Sequence, residues 1–75
     1  MMRLIIKILS KSIMDEVYFS GCLSLKENLD LYFKLKEINL NNYYVVLKRN
    51  NGFLDTNNNP IDMNLINGDI LYIYA

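Results

Sequence analysis

At 75 residues the chain has room for one domain, near the lower size at which a hydrophobic core alone holds a fold. Lysine plus arginine and aspartate plus glutamate balance at 8 each, which excludes a net field for nucleic acid or an anionic membrane, and 52% hydrophobic residues exclude a disordered chain. Histidine is absent, removing the commonest general base and metal ligand, and the single Cys22 excludes an internal disulfide or a cysteine zinc site.

The chain opens Met1-Met2-Arg3-Leu4-Ile5-Ile6-Lys7-Ile8-Leu9. Lys7 interrupts the apolar run and no small-residue cleavage site follows, so we do not read a signal peptide. No segment approaches the roughly 20 apolar residues of a membrane span. The expectation is a cytoplasmic protein without membrane insertion. Leu4, Ile6 and Ile8 alternate with Arg3, Ile5, Lys7 and Leu9, which predicts a first strand with one clearly apolar face. Ser10-Lys11-Ser12 serves as a hairpin turn, and Ile13 to Phe19 returns as a second strand. Asp15 falls in phase with Val17 and Phe19, which calls for a bulge or a longer turn.

Ser24-Leu25-Lys26-Glu27 fits a capping box, so a helix is predicted from there to about Ile38. Lys26, Glu27, Asp30, Lys34 and Glu37 form its polar arc, opposite Leu25, Leu29, Tyr32, Phe33, Leu35 and Ile38. Asp30 and Lys34 are spaced for an ion pair, and Asn39 suits the left-handed residue that ends the helix. Residues 43–49 read as a third strand, Asn50-Asn51-Gly52 as a turn, and Phe53-Leu54 as a short fourth strand. Residues 61–66 are too short for an ordinary helix and predict a single turn that plugs the core with Ile61 and Leu65. Asn67-Gly68 then leads into Asp69-Ile70-Leu71-Tyr72-Ile73-Tyr74. A terminal strand this apolar belongs in the middle of a sheet, with Leu71 and Ile73 facing the core.

The order strand, strand, helix, strand, short strand, final strand predicts an α+β fold: a mixed sheet of four to five strands with one helix packed across it. The final strand pairs most simply with the first, in parallel, between it and the third. That is a β-grasp spanning residues 1–75. At this point the residues resemble the ubiquitin-like family, through the starting hairpin, the capped helix at Ser24-Leu25, the turn at Asp62-Met63-Asn64-Leu65 and the ending Leu71-Tyr72-Ile73. The stretch Leu65-Ile66-Asn67-Gly68-Asp69-Ile70-Leu71 looks like the close of small bacterial ubiquitin-like proteins of the YukD/EsaB type. That resemblance implies an association with type VII-like secretion. Conjugated modifiers and sulfur carriers of the fold use a tail ending in Gly-Gly, whereas this sequence ends at Tyr74-Ala75, so the expectation is a non-conjugating protein.

No constellation of residues carries catalytic, cofactor or metal chemistry, and the chain reads as a non-enzyme. Cys22 lacks a base or a second thiol and reads as a small, partly buried packing residue. Asp15-Glu16, Asp62 and Asp69 read as turn and surface positions. The glycines form no phosphate loop, and Lys7, Lys48 and Arg49 read as solvated surface. The outer sheet face stands apart. Parity sends Ile5, Lys7 and Leu9 outward from the first strand, Tyr44, Val46 and Lys48 from the third, and Tyr72 and Tyr74 from the last. Leu9, Val46 and Tyr74 lie where the resemblance puts the partner-binding patch of ubiquitin-like proteins. Cross-strand tyrosines can also serve the sheet alone, at about 0.2–1 kcal/mol per pair. We expect a protein partner on the patch formed by Leu9, Tyr44, Val46, Lys48, Tyr72 and Tyr74, with a contact between two copies as the alternative use.

Overall fold

The first and last strands of the chain lie side by side, and a short asparagine-glycine turn aligns them. In the computed structural model, which describes residues 1–75, Gly68 takes φ 91°, a left-handed conformation that glycine adopts without strain. Its N–H donates to the Arg3 carbonyl at 2.8 Å, while the Asn67 side-chain oxygen accepts from the Arg3 N–H at 2.9 Å. Strand β1 (Met2–Ile8) is thereby aligned in parallel with the last strand, and Ile5 and Ile6 fall beside Ile70 and Leu71.

A 3-10 turn at Leu9–Lys11 and a left-handed Ser12 return the chain as β2 (Ile13–Phe19), antiparallel to β1. Pairing runs without a break from Met2↔Phe19 to Ile8↔Ile13, so no bulge resolves the parity of Asp15. Asp15 points to the helix side, half-buried, and accepts from the Tyr32 hydroxyl at 2.9 Å with Lys36 at 3.9 Å. The polar residue in the apolar phase is satisfied where it stands.

Helix α1 (Leu25–Lys36) begins with the capping box complete: the Glu27 N–H donates to Ser24 Oγ at 3.0 Å, and Glu27 Oε1 accepts from the Ser24 N–H at 3.2 Å. The first two helical N–H groups, of Leu25 and Lys26, donate to the carbonyls of Asn58 and Thr56 at 2.8 Å each. The polar loop after β4 is therefore the far half of the helix cap. Leu25, Asn28, Leu29, Tyr32 and Phe33 are buried, the spacing of one helical face. Asn28 fixes the loop before the helix, accepting from the Ser20 N–H at 3.0 Å and donating to the Ser20 carbonyl at 2.9 Å.

The helix stops at Lys36, two residues earlier than expected, with Glu37 rather than Asn39 left-handed at φ 57°. The Ile38 N–H donates to the Phe33 carbonyl at 2.8 Å and the Glu37 N–H to that of Lys34 at 3.3 Å, a Schellman closure in which Ile38 packs on the core. The exposed ion pair on the helix is Lys26–Asp30 at 2.9 Å, not Asp30–Lys34. Leu35 is 79% exposed rather than buried, because it lies on the flank overhanging edge strand β2, where the sheet has run out.

Strand β3 (Tyr44–Leu47) is shorter than residues 43–49, and residues 48–51 turn the chain into β4 (Gly52–Leu54). In the segment 61–66, Leu65 plugs the core as expected, joined by fully buried Pro60, but Ile61 is 56% exposed and lies over Gly21. Strand β5 (Ile70–Tyr74) occupies the centre of a five-stranded mixed sheet ordered β2-β1-β5-β3-β4. The protein is α+β with the β-grasp arrangement. Leu4, Ile6, Ile8, Val45, Leu71 and Ile73 are fully buried between the sheet and the helix. Burying each such side chain favours folding by about 1.5–3 kcal/mol.

Candidate protein-interaction face

The side of the sheet opposite α1 is covered by no other element of the chain. Residues there alternate with the core residues of each strand, so its composition follows from the same parity that built the core. Pairing aligns the side chains in rows. Met14, Lys7, Tyr72, Val46 and Phe53 make one continuous row from β2 to β4. Glu16, Ile5 and Ile70 make a second, and Tyr74 with Tyr44 a third.

The rings are interlocked. Tyr44 and Tyr74 stack at 5.1 Å between centroids with an interplanar angle of 12°. Phe53 tilts against Tyr44 at 5.5 Å, and Tyr72 meets Tyr74 edge-on at 6.5 Å. The Lys7 ammonium lies 6.0 Å from the centre of the Tyr72 ring, within cation–π reach. Phe53 is 77% exposed and Tyr44 51%, while Val46, Tyr72 and Tyr74 are half-buried by one another. At the corner of the face, Glu16 holds Arg3 at 3.1 Å and accepts from the Tyr18 hydroxyl at 3.1 Å, a hydrogen bond that raises the Tyr18 pKa.

Of the six residues expected on this patch, Tyr44, Val46, Tyr72 and Tyr74 come together as one surface. Lys48 is exposed just past β3, beside Ile70, to whose carbonyl its N–H donates at 2.9 Å. Leu9 leaves the strand: β1 ends at Ile8, and Leu9 opens the 3-10 turn that packs against β5, 39% exposed. Phe53 was not in the expected set. Its neighbour Val46 is fixed only once residues 48–51 are known to form a four-residue loop, and that register is not written in Asn50-Asn51-Gly52.

Two acidic and thiol expectations are overturned. Asp69 is buried at 6% exposure, and both its oxygens accept from Arg49 at 3.1 Å while the Ile66 N–H donates at 2.9 Å. Burial alone would raise its pKa; the Arg49 and Ile66 hydrogen bonds outweigh it, and the carboxyl is held below its ordinary 3.8. Arg49 is thus a structural cation rather than solvated surface. Cys22 is exposed rather than partly buried, and the loop it sits on is held by the amide of Asn28. No three histidine, cysteine or acidic side chains gather where a metal ion could sit, and no helix is long and apolar enough to cross a membrane.

Comparison with known proteins fits this geometry at the level of architecture. No protein-family model and no curated protein matches the chain. Among solved structures it is similar to a chain of the crystal structure of ATBAG1 in complex with HSP70, with a TM-score of 0.75 at 15% identity. The match covers 97% of this chain and 39% of that one. The likeness is one of fold.

A second apolar surface lies on the other side of the sheet edge, a groove of about 370 Å³ between β2 and α1. Val17, Tyr18, Leu23, Leu31 and Leu35 line it, with Leu31 61% exposed. Helical spacing placed Leu35 outside the polar arc of α1 and gave no sign of this groove.

Proposed function

We propose that the chain is a non-enzymatic protein-interaction module that binds a protein partner through the outer face of its sheet, with Tyr44, Val46, Phe53, Tyr72 and Tyr74 as the contact residues and Leu9 and Lys48 at the rim. The observation that carries this reading is the row Tyr72–Val46–Phe53 with Tyr44 and Tyr74 beside it, aromatic and uncovered. Water solvates such a surface poorly, whereas rigid rings with few torsions suit an interface. Membership of a similar chain in the ATBAG1–HSP70 complex accords with the reading. Following the resemblance at Leu65–Leu71, the partner belongs to a type VII-like secretion or other membrane machinery.

Photo-crosslinking in the source cell tests this. A benzoylphenylalanine at position 53 should give an adduct with a discrete second protein, and one at position 35 should not. Adducts from position 35 alone would move the interface to the β2–α1 groove, and adducts only with a second copy would replace partner binding by self-association.

A further inference from the structure

We propose that the partner's contact segment is acidic and sets a carboxylate over Lys7, the cation that flanks the aromatic face beside Tyr72. This rests on the face being the interface. Four ion pairs engage Arg3, Lys26, Lys36 and Arg49 with Glu16, Asp30, Asp15 and Asp69, taking up four of the 8 cations and four of the 8 anions. The four cations left are Lys7, Lys11, Lys34 and Lys48. Two of them belong to this face, Lys7 within the central row and Lys48 beside Ile70, while Lys11 sits in the turn that packs on β5. The anions left are Glu27 and Glu37 on the helix, Asp62 in the 61–66 segment and Asp55. Asp55 alone adjoins the face, directly after β4, where it accepts from the Asn57 N–H at 3.0 Å. The face is therefore apolar with an excess of unpaired positive charge.

Lys7 decides what can cover it. Its neighbours across the strands are Met14 and Tyr72, and no carboxylate lies within ion-pair distance. A partner seated on Tyr72 and Val46 removes water from that ammonium, and an ion desolvated without a counter-charge opposes binding. A second copy supplies the wrong charge, since a two-fold contact centred on Tyr72 brings one Lys7 toward the other. A nucleic acid would offer phosphates, but the Tyr44 and Tyr74 rings stack on each other, which takes ring faces away from bases. An acidic segment with apolar side chains satisfies both the rings and the lysine.

The test selects random 12-residue peptides displayed on phage against the immobilised protein, with binders of the Val46→Ser/Tyr72→Ser double variant removed. Recovered peptides should be enriched in aspartate or glutamate next to aliphatic or aromatic residues. For the best synthetic peptide, Lys7→Glu should weaken binding about tenfold or more, an interface charge reversal being worth at least 1.4 kcal/mol. Lys7→Arg should keep the affinity within about twofold, and replacing the peptide's acid by lysine should restore binding to Lys7→Glu. Face-dependent peptides without acids, or indifferent to Lys7→Glu, would overturn the acidic partner and leave the face standing. Failure to recover any face-dependent peptide would overturn both, and tighter binding of a labelled oligothymidine or oligouridine than of the peptides would assign the face to nucleic acid. Unchanged urea midpoints for the Lys7 variants show that the fold is not what was lost.

Discussion

Asp69 and Tyr43 are the residues whose burial asks most of the fold, and they answer in opposite ways. Asp69 is held ionised by Arg49. A carboxyl whose folded pKa is depressed contributes stability that is present above its unfolded value and lost as pH falls through the folded one. Arg49→Met should therefore destabilise at neutral pH, because it leaves the buried Asp69 carboxylate without its counter-charge. The gap to the parent should begin to close as pH falls through the carboxylate range, where the unpaired Asp69 of the variant takes up its proton, and finish closing below 3.8, read by urea denaturation across pH. The partnership spans 20 residues of sequence and leaves no local pattern, so Asp69 looked like one more turn residue. Tyr43 buries its hydroxyl without a partner, packing edge-on to Phe33 at 5.4 Å. Burial, with the Asp30 charge second, pushes its pKa up to about 12, and burial followed by the Asp15 hydrogen bond does the same for Tyr32. For both phenols the raised pKa leaves stability unchanged below their ordinary value of 10.0 and costs stability as pH rises from there toward about 12, because the unfolded chain gives up its proton first. Tyr43→Phe removes an unsatisfied polar atom and should be neutral or stabilising by about 1 kcal/mol in thermal denaturation at pH 7.

Among the elements, α1 shows what local pattern can and cannot deliver. The capping box was legible because both partners sit within four residues. The end was not, because the closure depends on Ile38 reaching the core, which pins the left-handed position to Glu37 whatever Asn39 prefers. A glutamate there bears the steric cost of left-handed backbone, so Glu37→Gly should stabilise the protein by about 0.5–1 kcal/mol. A loss of stability in denaturant would show that the closure is not limiting. The burial stripe likewise ends where the sheet ends. Leu29→Ala should cost about 2–5 kcal/mol by leaving a cavity under the helix, whereas Leu35→Ala should change stability by less than about 0.5 kcal/mol. Equal losses would mean that α1 covers more of β2 than its exposed flank indicates.

For the whole molecule, the strand order was legible because few arrangements of a hairpin, one helix and an apolar terminal strand bury every apolar face. The same parity delivered four of the six expected face residues. It missed Phe53, whose position depends on loop length, and the groove beside β2, which depends on where the sheet stops. What parity cannot say is whether a face of interlocked rings serves the sheet or a partner, and stability and binding respond to that choice differently. The direct measurement is the double variant Val46→Ser/Tyr72→Ser, followed by urea denaturation and by capture of the crosslinked partner, with Lys26→Ser/Asp30→Ser on the outer helix face as control. The interface account predicts a stability loss of about 1 kcal/mol, from cross-strand contacts alone, with capture abolished and the control capturing normally. A double variant that loses several kcal/mol yet, where still folded, captures its partner as before would contradict it and leave the aromatic face as a device for holding the sheet.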